Sequence, residues 1–169
     1  MKDDPKQYPV VSKKNFVKMH DKGKTLTFKY YVMDLIWLSL KDVIEKICKG
    51  VLSPHTKIHI AQETLNGLKA LHELGFLHRD VKWHNFAVGL PPNDNIVYIL
   101  DFGIARPYRE ADGRVKIARE RVNFMGTHKY ASIRSMSQLE QCRKDDLESW
   151  LYMMMEVYDP NNLTWMRFD

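Results

Sequence analysis

Three observations predict an α+β fold for this chain. Two aromatic and β-branched segments, residues 16–20 and 28–33, flank the polar run Asp21-Lys22-Gly23-Lys24, the composition of two strands and a turn. Ile58, Ala61, Leu65, Leu68 and Leu71 then recur at three- and four-residue steps, as on one face of a helix. A second apolar segment, residues 145–158, follows a long polar stretch. A strand pair followed by long helices, with no regular strand–helix repeat, points to α+β rather than to alternating βα units.

The elements follow in order. The hairpin spans residues 16–33, with its turn expected at 21–24. Ser39 then caps a short helix, with Asp42 in capping-box position and Gly50 as its stop. Ser53-Pro54 opens a helix of about 20 residues, a cap followed by proline at the first helical position, and Gly75 closes it. Short extended pieces come next at 76–77, 86–88 and 96–100, with a turn at Pro91-Pro92-Asn93-Asp94-Asn95. Residues 101–134 are polar, basic and irregular. The last helix carries Leu147, Trp150, Leu151, Met153, Met154, Met155 and Val157, so it is expected to be buried nearly all round, and Asp159-Pro160 stops it.

Composition narrows the class. The 169 residues carry 26 Lys+Arg against 21 Asp+Glu, a formal charge of +5, and are 44% hydrophobic, which excludes collagen-like and wholly disordered chains. No apolar run stands behind Met1, and nowhere do about 18 apolar residues follow one another, so neither a signal peptide nor a membrane span is expected. Cys48 and Cys142 lie far apart, outside any CxxC pairing, as reduced thiols do in a cytoplasmic or nuclear protein.

The segment with chemical content is His78-Arg79-Asp80-Val81-Lys82-Trp83-His84-Asn85, followed 21 residues after Asp80 by Asp101-Phe102-Gly103. It fits the pattern HRDxKxxN followed by DFG. Phosphoryl transfer needs a carboxylate near the attacking hydroxyl, a cation on the moving phosphoryl group, and oxygen ligands for a metal ion bridging the nucleotide phosphates. One loop and one strand end supply all four groups.

The chain therefore resembles the protein kinases. Tyr31-Val32-Met33-Asp34-Leu35-Ile36, Ser39-Leu40-Lys41-Asp42, Asn85-Phe86-Ala87-Val88-Gly89, Gly126-Thr127-His128-Lys129-Tyr130-Ala131-Ser132 and Asp145-Asp146-Leu147-Glu148-Ser149-Trp150 are similar to the casein kinase I group, closest to its tau-tubulin kinase branch. The resemblance covers residues 15 to 165. It implies a protein-kinase-like fold: a remnant hairpin of the small lobe and the hinge at 15–38, a truncated helical large lobe at 39–169, and an N-terminal tail at 1–14. It implies Asp80 as catalytic base, Lys82 as the γ-phosphate contact, Thr127 orienting both, and Asn85 and Asp101 as ligands of Mg²⁺. Met33 becomes the gatekeeper, Asp34, Leu35 and Ile36 the hinge that grips the adenine of ATP, and Asp146 the anchor of the catalytic loop.

Acidic or phosphorylated protein substrates are the implied partners, and the charge map agrees. Residues 101–134 hold eight Lys and Arg against four acidic residues, a net +4 that is most of the chain's net +5. No Ser or Thr lies between Gly103 and Gly126, so phosphorylation of these residue types cannot switch that stretch.

The sequence also departs from the family. No G-x-G-x-x-G occurs in the 169 residues, and neither the phosphate-covering loop nor the strand lysine and its glutamate precede Asn15. The expectation is a partial kinase domain, with a non-catalytic remnant acting as a protein-binding module as the alternative, and with a protein partner covering exposed apolar surface of the large lobe. Trp83 stands where proline is usual and Trp37 where glycine is usual, and both departures bear on nucleotide access.

Plainer readings hold elsewhere. His55 and His59, four apart, have no third ligand, so no zinc is expected. Met153 to Met155 read as core. The basic run 114–121 lacks aromatic interleaving, and nucleic acid is not an expected partner.

Overall fold

The structure is a computed structural model and describes residues 11–165. Most of the expected tail, residues 1–10, lies outside the described part. Lys14 and Asn15, at the tail's expected boundary, are anchored: Lys14 Nζ sits 2.9 Å from Glu63 Oε1, and Asn15 Nδ2 donates to Glu63 Oε2 at 3.2 Å and to Val97 O at 2.9 Å.

The first hairpin pairs β1 (Met19–Lys24) antiparallel with β2 (Lys29–Met33). Its turn is not the expected run 21–24, which continues the strand, but Thr25 to Phe28. The Thr25 hydroxyl accepts the backbone N–H of Thr27 and of Phe28, and Thr25 N donates to Phe28 O at 2.8 Å. A hydroxyl that satisfies two turn amides outcompetes a merely polar run. Gly23, expected in the turn, faces Tyr30 across the ladder, and a Cβ there would lie 2.5 Å from the ring. Phe16, expected in the hairpin, instead forms a parallel bridge with Ile99.

A short helix α1 (Leu40–Asp42) runs on into a π turn over Val43–Ile47. Ser39 caps it by accepting from Asp42 N at 3.1 Å. The long helix α2 (Pro54–Glu73) has the expected 20 residues and the expected Ser53 cap. Its buried face is rotated from the expected one. Ile58 and Leu65 are exposed, while Ile60, Glu63, Thr64, Gly67, Leu68 and Leu71 are buried.

Three local facts explain the rotation. Thr64 donates to Ile60 O at 2.7 Å and accepts the indole N–H of Trp150 at 2.9 Å. Glu63 is held by Lys14 and Asn15. At Gly67 a Cβ would already touch Ile99, so the helix lies close on the sheet. Polar groups with partners bury without the desolvation loss that an apolar count assumes.

Three short strands follow α2: β3 (Phe76–Leu77), β4 (Phe86–Val88) and β5 (Val97–Ile99). A fourth, β6 (Arg106–Pro107), pairs with β3, and β4 pairs with β5, both antiparallel. A one-turn helix α3 (Ile133–Met136) precedes α4 (Arg143–Tyr158). Burial of α4 nearly all round does not occur. Met153 and Met154 are buried, but Leu147 and Leu151 are 40% and 50% exposed, since α2 covers one side only. The core joins Leu40 of α1, Leu68 and Leu71 of α2, Met153 and Met154 of α4, Phe86 and Ile99 of the sheet, and Val81 and Trp83 of loop 78–85.

Three buried or partly buried carboxyls hold this core to its loops. Burial pushes the pKa values of Glu63, Asp145 and Glu156 up, but hydrogen bonds more than offset it: Lys14 and Asn15 at Glu63, Cys142 N and Ser132 at Asp145, Lys129 and Tyr130 at Glu156. All three therefore lie below their ordinary values in the folded state. The unfolded chain binds more protons, so this stability is complete above the ordinary carboxylate range and is lost as pH falls through the lower folded values. The melting temperature is expected to vary little between pH 7 and 5 and to fall steeply below about pH 4. A steep fall between pH 7 and 5.5 would contradict it.

Candidate active site

The sheet β4–β5 positions the site. The pair Phe86↔Ile99 closes the ladder, and Leu100 N donates to Asn85 O at 2.8 Å, so Asn85 and Asp101 leave the sheet at the same end. The pairing of Leu77 with Arg106 brings the start of loop 78–85 beside the segment after Gly103.

Loop 78–85 is pinned from below by Asp146, buried near the start of α4. Its Oδ2 accepts from His78 N and His72 Nε2, and its Oδ1 from Arg79 N, each at 2.8 Å. Arg79 takes a left-handed backbone, φ 69°, which a non-glycine residue holds only under such constraint. His78 is fully buried and lies between two backbone groups: Leu100 O, 2.8 Å from Nε2, and Asp80 N, which donates to Nδ1 at 3.3 Å. A carbonyl only accepts, so the proton is on Nε2.

Above this platform Asp80, Lys82, Asn85 and Thr127 form one network. Asp80 Oδ2 lies 2.7 Å from Lys82 Nζ and accepts from Asn85 Nδ2 at 3.1 Å. Its Oδ1 accepts the Thr127 hydroxyl at 2.7 Å, and Lys82 Nζ donates to that same hydroxyl oxygen at 3.1 Å. Burial raises the Asp80 pKa, but the contacts to Lys82, Thr127 and Asn85 outweigh it and hold the carboxyl below its usual range. An ionised carboxylate beside an ammonium is the result.

The other expected site residues stand apart from the network. Asp101 is exposed with a left-handed backbone, φ 58°, and its Oδ1 accepts from Gly103 N at 3.1 Å. Phe102 packs its ring near His78 and Phe16. Met33 ends β2 and is half exposed, Leu35 is 82% exposed and Ile36 is partly buried. Asp34 donates its N–H to Lys18 O, and its Oδ1 lies 2.5 Å from His20 Nε2. The segment after Ile36 then joins the edge of β4 through Trp37 N and Val88 O. Among the described residues no hydrogen bond or ion pair links residues 33–36 to Asp80 or Lys82.

Trp83 corrects one expectation. It bears on the core rather than on nucleotide access, because its ring is 2% exposed and its indole N–H donates to Glu156 Oε2 at 3.1 Å. Sequence reasoning missed Glu156 itself, which also takes Lys129 Nζ at 2.7 Å and the Tyr130 hydroxyl at 2.5 Å. A lone carboxylate in an otherwise apolar stretch was the available signal.

Gly126 was missed as well. Its φ is +115°, and a Cβ there would lie 2.6 Å from Arg79 O. Gly126→Ala is expected to destabilise the fold by about 1–3 kcal/mol, measured by urea denaturation, and to displace Thr127 from Asp80. An unchanged midpoint would show that the contact relaxes freely.

Oxygen donors for a divalent cation are present. Asn85 spends its Nδ2 on Asp80, which leaves Oδ1 to offer, and Asp101 spends Oδ1 on Gly103 N, which leaves Oδ2. One carboxylate and one amide oxygen suit Mg²⁺ when phosphates and water complete the shell. Among the described residues no group of three His, Cys, Asp or Glu is placed to hold a metal alone, and no helix is long and apolar enough to cross a membrane.

Comparison with known proteins settles the family, since residues 7–165 match the protein kinase domain. The chain belongs to the protein kinase family. The kinase domain is 37% identical over 147 residues to the serine/threonine-protein kinase spe-6 of Caenorhabditis elegans, covering 87% of this chain and 38% of that protein. A Dictyostelium discoideum protein named for a serine/threonine kinase is 39% identical over 146 residues, 86% of this chain and 29% of the relative. The Caenorhabditis elegans protein ZK507.1, also named for a serine/threonine kinase, is 33% identical over 153 residues, 90% of this chain and 46% of the relative. The chain thus spans less than half the length of each of these relatives.

Proposed function

We propose that this chain carries the catalytic loop of a serine/threonine protein kinase of the casein kinase I group, nearest its tau-tubulin kinase branch. The observation that supports this best is the Asp80–Lys82–Thr127–Asn85 network on a loop anchored by Asp146. In this reading residues 15–38 are small-lobe strands and hinge, and residues 39–169 belong to the large lobe.

The chemistry follows from the network. A substrate hydroxyl donates its hydrogen bond to Asp80, its oxygen bonds the γ-phosphorus as the bond to the β-phosphate oxygen breaks, and its proton passes to Asp80. Lys82 would neutralise charge on the transferring phosphoryl group. Thr127 holds both in register. Asn85 and Asp101 would hold Mg²⁺, which supplies charge neutralisation at the nucleotide phosphates. Met33, Asp34, Leu35 and Ile36 form the adenine contact, and the basic segment 101–134 favours acidic or phosphorylated protein substrates in the cytoplasm or nucleus.

The test is transfer of labelled phosphate from Mg·ATP to an acidic protein by the purified chain, beside a thermal-shift titration with Mg·ATP. Transfer that stops on chelation is the expected result. A chain that gives neither a shift nor transfer fits the second reading, a non-catalytic remnant acting as a protein-binding module, which the lack of any G-x-G-x-x-G within these 169 residues supports. Neither shift nor transfer overturns the kinase reading for this chain.

A further inference from the structure

A second concave surface lies away from Asp80, between the C-terminal half of α2, the start of α4 and the loop 106–118. It encloses about 1120 Å³, more than the roughly 300–1,000 Å³ usual for a small-molecule cleft. Its apolar lining is open to solvent: Ile117 is 96% exposed, Val115 63%, Leu147 40% and Leu65 37%.

Its charge is one-sided. Seven Lys and Arg line it against two carboxylates, Glu73 and Glu140. Glu140 is already engaged by Arg106 and Arg119, and Lys69 stands 3.9 Å from Glu73. Arg109, Lys116, Arg134 and Arg143 have no carboxylate partner among the described residues. The guanidinium groups of Arg109 and Arg143 both lie against the Tyr108 ring, 5.2 and 5.3 Å from its centre. Both guanidinium groups face one ring and neither has a carboxylate partner among the described residues, so an anion placed there meets two cations.

We propose that this groove binds an acidic amphipathic segment of a partner protein. Apolar side chains of that segment cover Ile117, Val115, Leu65 and Leu147, and its carboxylates meet Arg109 and Arg143. An apolar floor under a cationic rim is the arrangement by which a groove takes an amphipathic helix. It also tells against a nucleic acid, which would leave the floor uncovered. The inference stands on the groove alone and does not depend on catalysis at Asp80.

The probe is a fluorescein-labelled peptide of about 14 residues, roughly 21 Å as a helix, with Leu at every third or fourth position and Glu between. Its anisotropy is read with the full chain, against a peptide of equal charge in which Ser replaces every Leu. Saturable binding of the Leu peptide that weakens with salt is expected. The double variant Lys69→Glu with Arg143→Glu should weaken it by about tenfold or more. Ile117→Ser should weaken it by about fivefold. None of these changes threatens the fold, since Ile117 is exposed, Lys69 lies on an open helix face, and an acidic residue at the start of α4 suits its dipole. The proposal fails if no binding is seen, if the Ser peptide binds as tightly, if both variants bind unchanged, or if single-stranded RNA displaces the peptide at equal charge. Self-association of the chain that Ile117→Ser removes would assign the surface to a second copy and also overturn it.

Discussion

Asp80→Asn is expected to lower phosphate transfer by at least about 10³-fold. The substitution keeps the shape of the side chain and removes its charge. One amide oxygen can still accept from Thr127, but the amide nitrogen then faces Lys82 Nζ and Asn85 Nδ2, both donors, where Asp80 Oδ2 stood at 2.7 and 3.1 Å. The proposed general base and the ionic partner of Lys82 are lost together, and Asn85 Nδ2 keeps the Asp80 backbone oxygen at 2.7 Å as its acceptor. Initial rates on an acidic protein substrate, measured beside a thermal melt of the same preparation, check this. A variant that keeps more than about a tenth of a measurable wild-type rate would remove Asp80 from the chemistry.

Asp146→Ala should produce the largest loss of stability, about 3–5 kcal/mol, from the removal of a single side chain. The carboxylate is 1% exposed and serves three donors at 2.8 Å, and Ala leaves all of them buried without an acceptor. Two of the three are the backbone amides of His78 and Arg79, so the left-handed turn at Arg79 also loses its support. Against a typical stability of about 5–15 kcal/mol such a variant barely folds. Asp146→Asn, which keeps one carbonyl oxygen, should fold and still transfer phosphate poorly, because one loop amide now meets an NH₂ group. Urea midpoints for both variants decide the matter, and a midpoint for the Ala variant within about 1 kcal/mol of wild type would show that loop 78–85 is held by other means.

Much of the candidate site was legible because its spacing is local. His78 through Asn85 and Asp101 through Gly103 announce a loop and a strand end whatever surrounds them, and Ser53-Pro54 opens α2 where expected. The hairpin was legible as a pair of strands, yet its turn was misplaced, since composition does not show that one threonine hydroxyl closes two amides. The face of α2 was misread for a related reason. Counting apolar residues put Ile58 and Leu65 inward, whereas Thr64 and Glu63 went in because Trp150, Lys14 and Asn15 meet them from elsewhere in the chain.

By itself, then, the sequence determined the class of chemistry, the order of elements and the identity of the charged groups, all of which depend on short-range pattern. The family resemblance had pointed to Thr127, 47 residues from Asp80, but only the tertiary structure supplied the contact that closes the network, and only it decided that Glu156 accepts from Trp83. It alone brought the cations of loop 106–118 over the apolar side of α2 and α4. Those contacts join residues distant in the chain, and a buried polar group reveals its partner only when the fold has removed the water that would otherwise satisfy it.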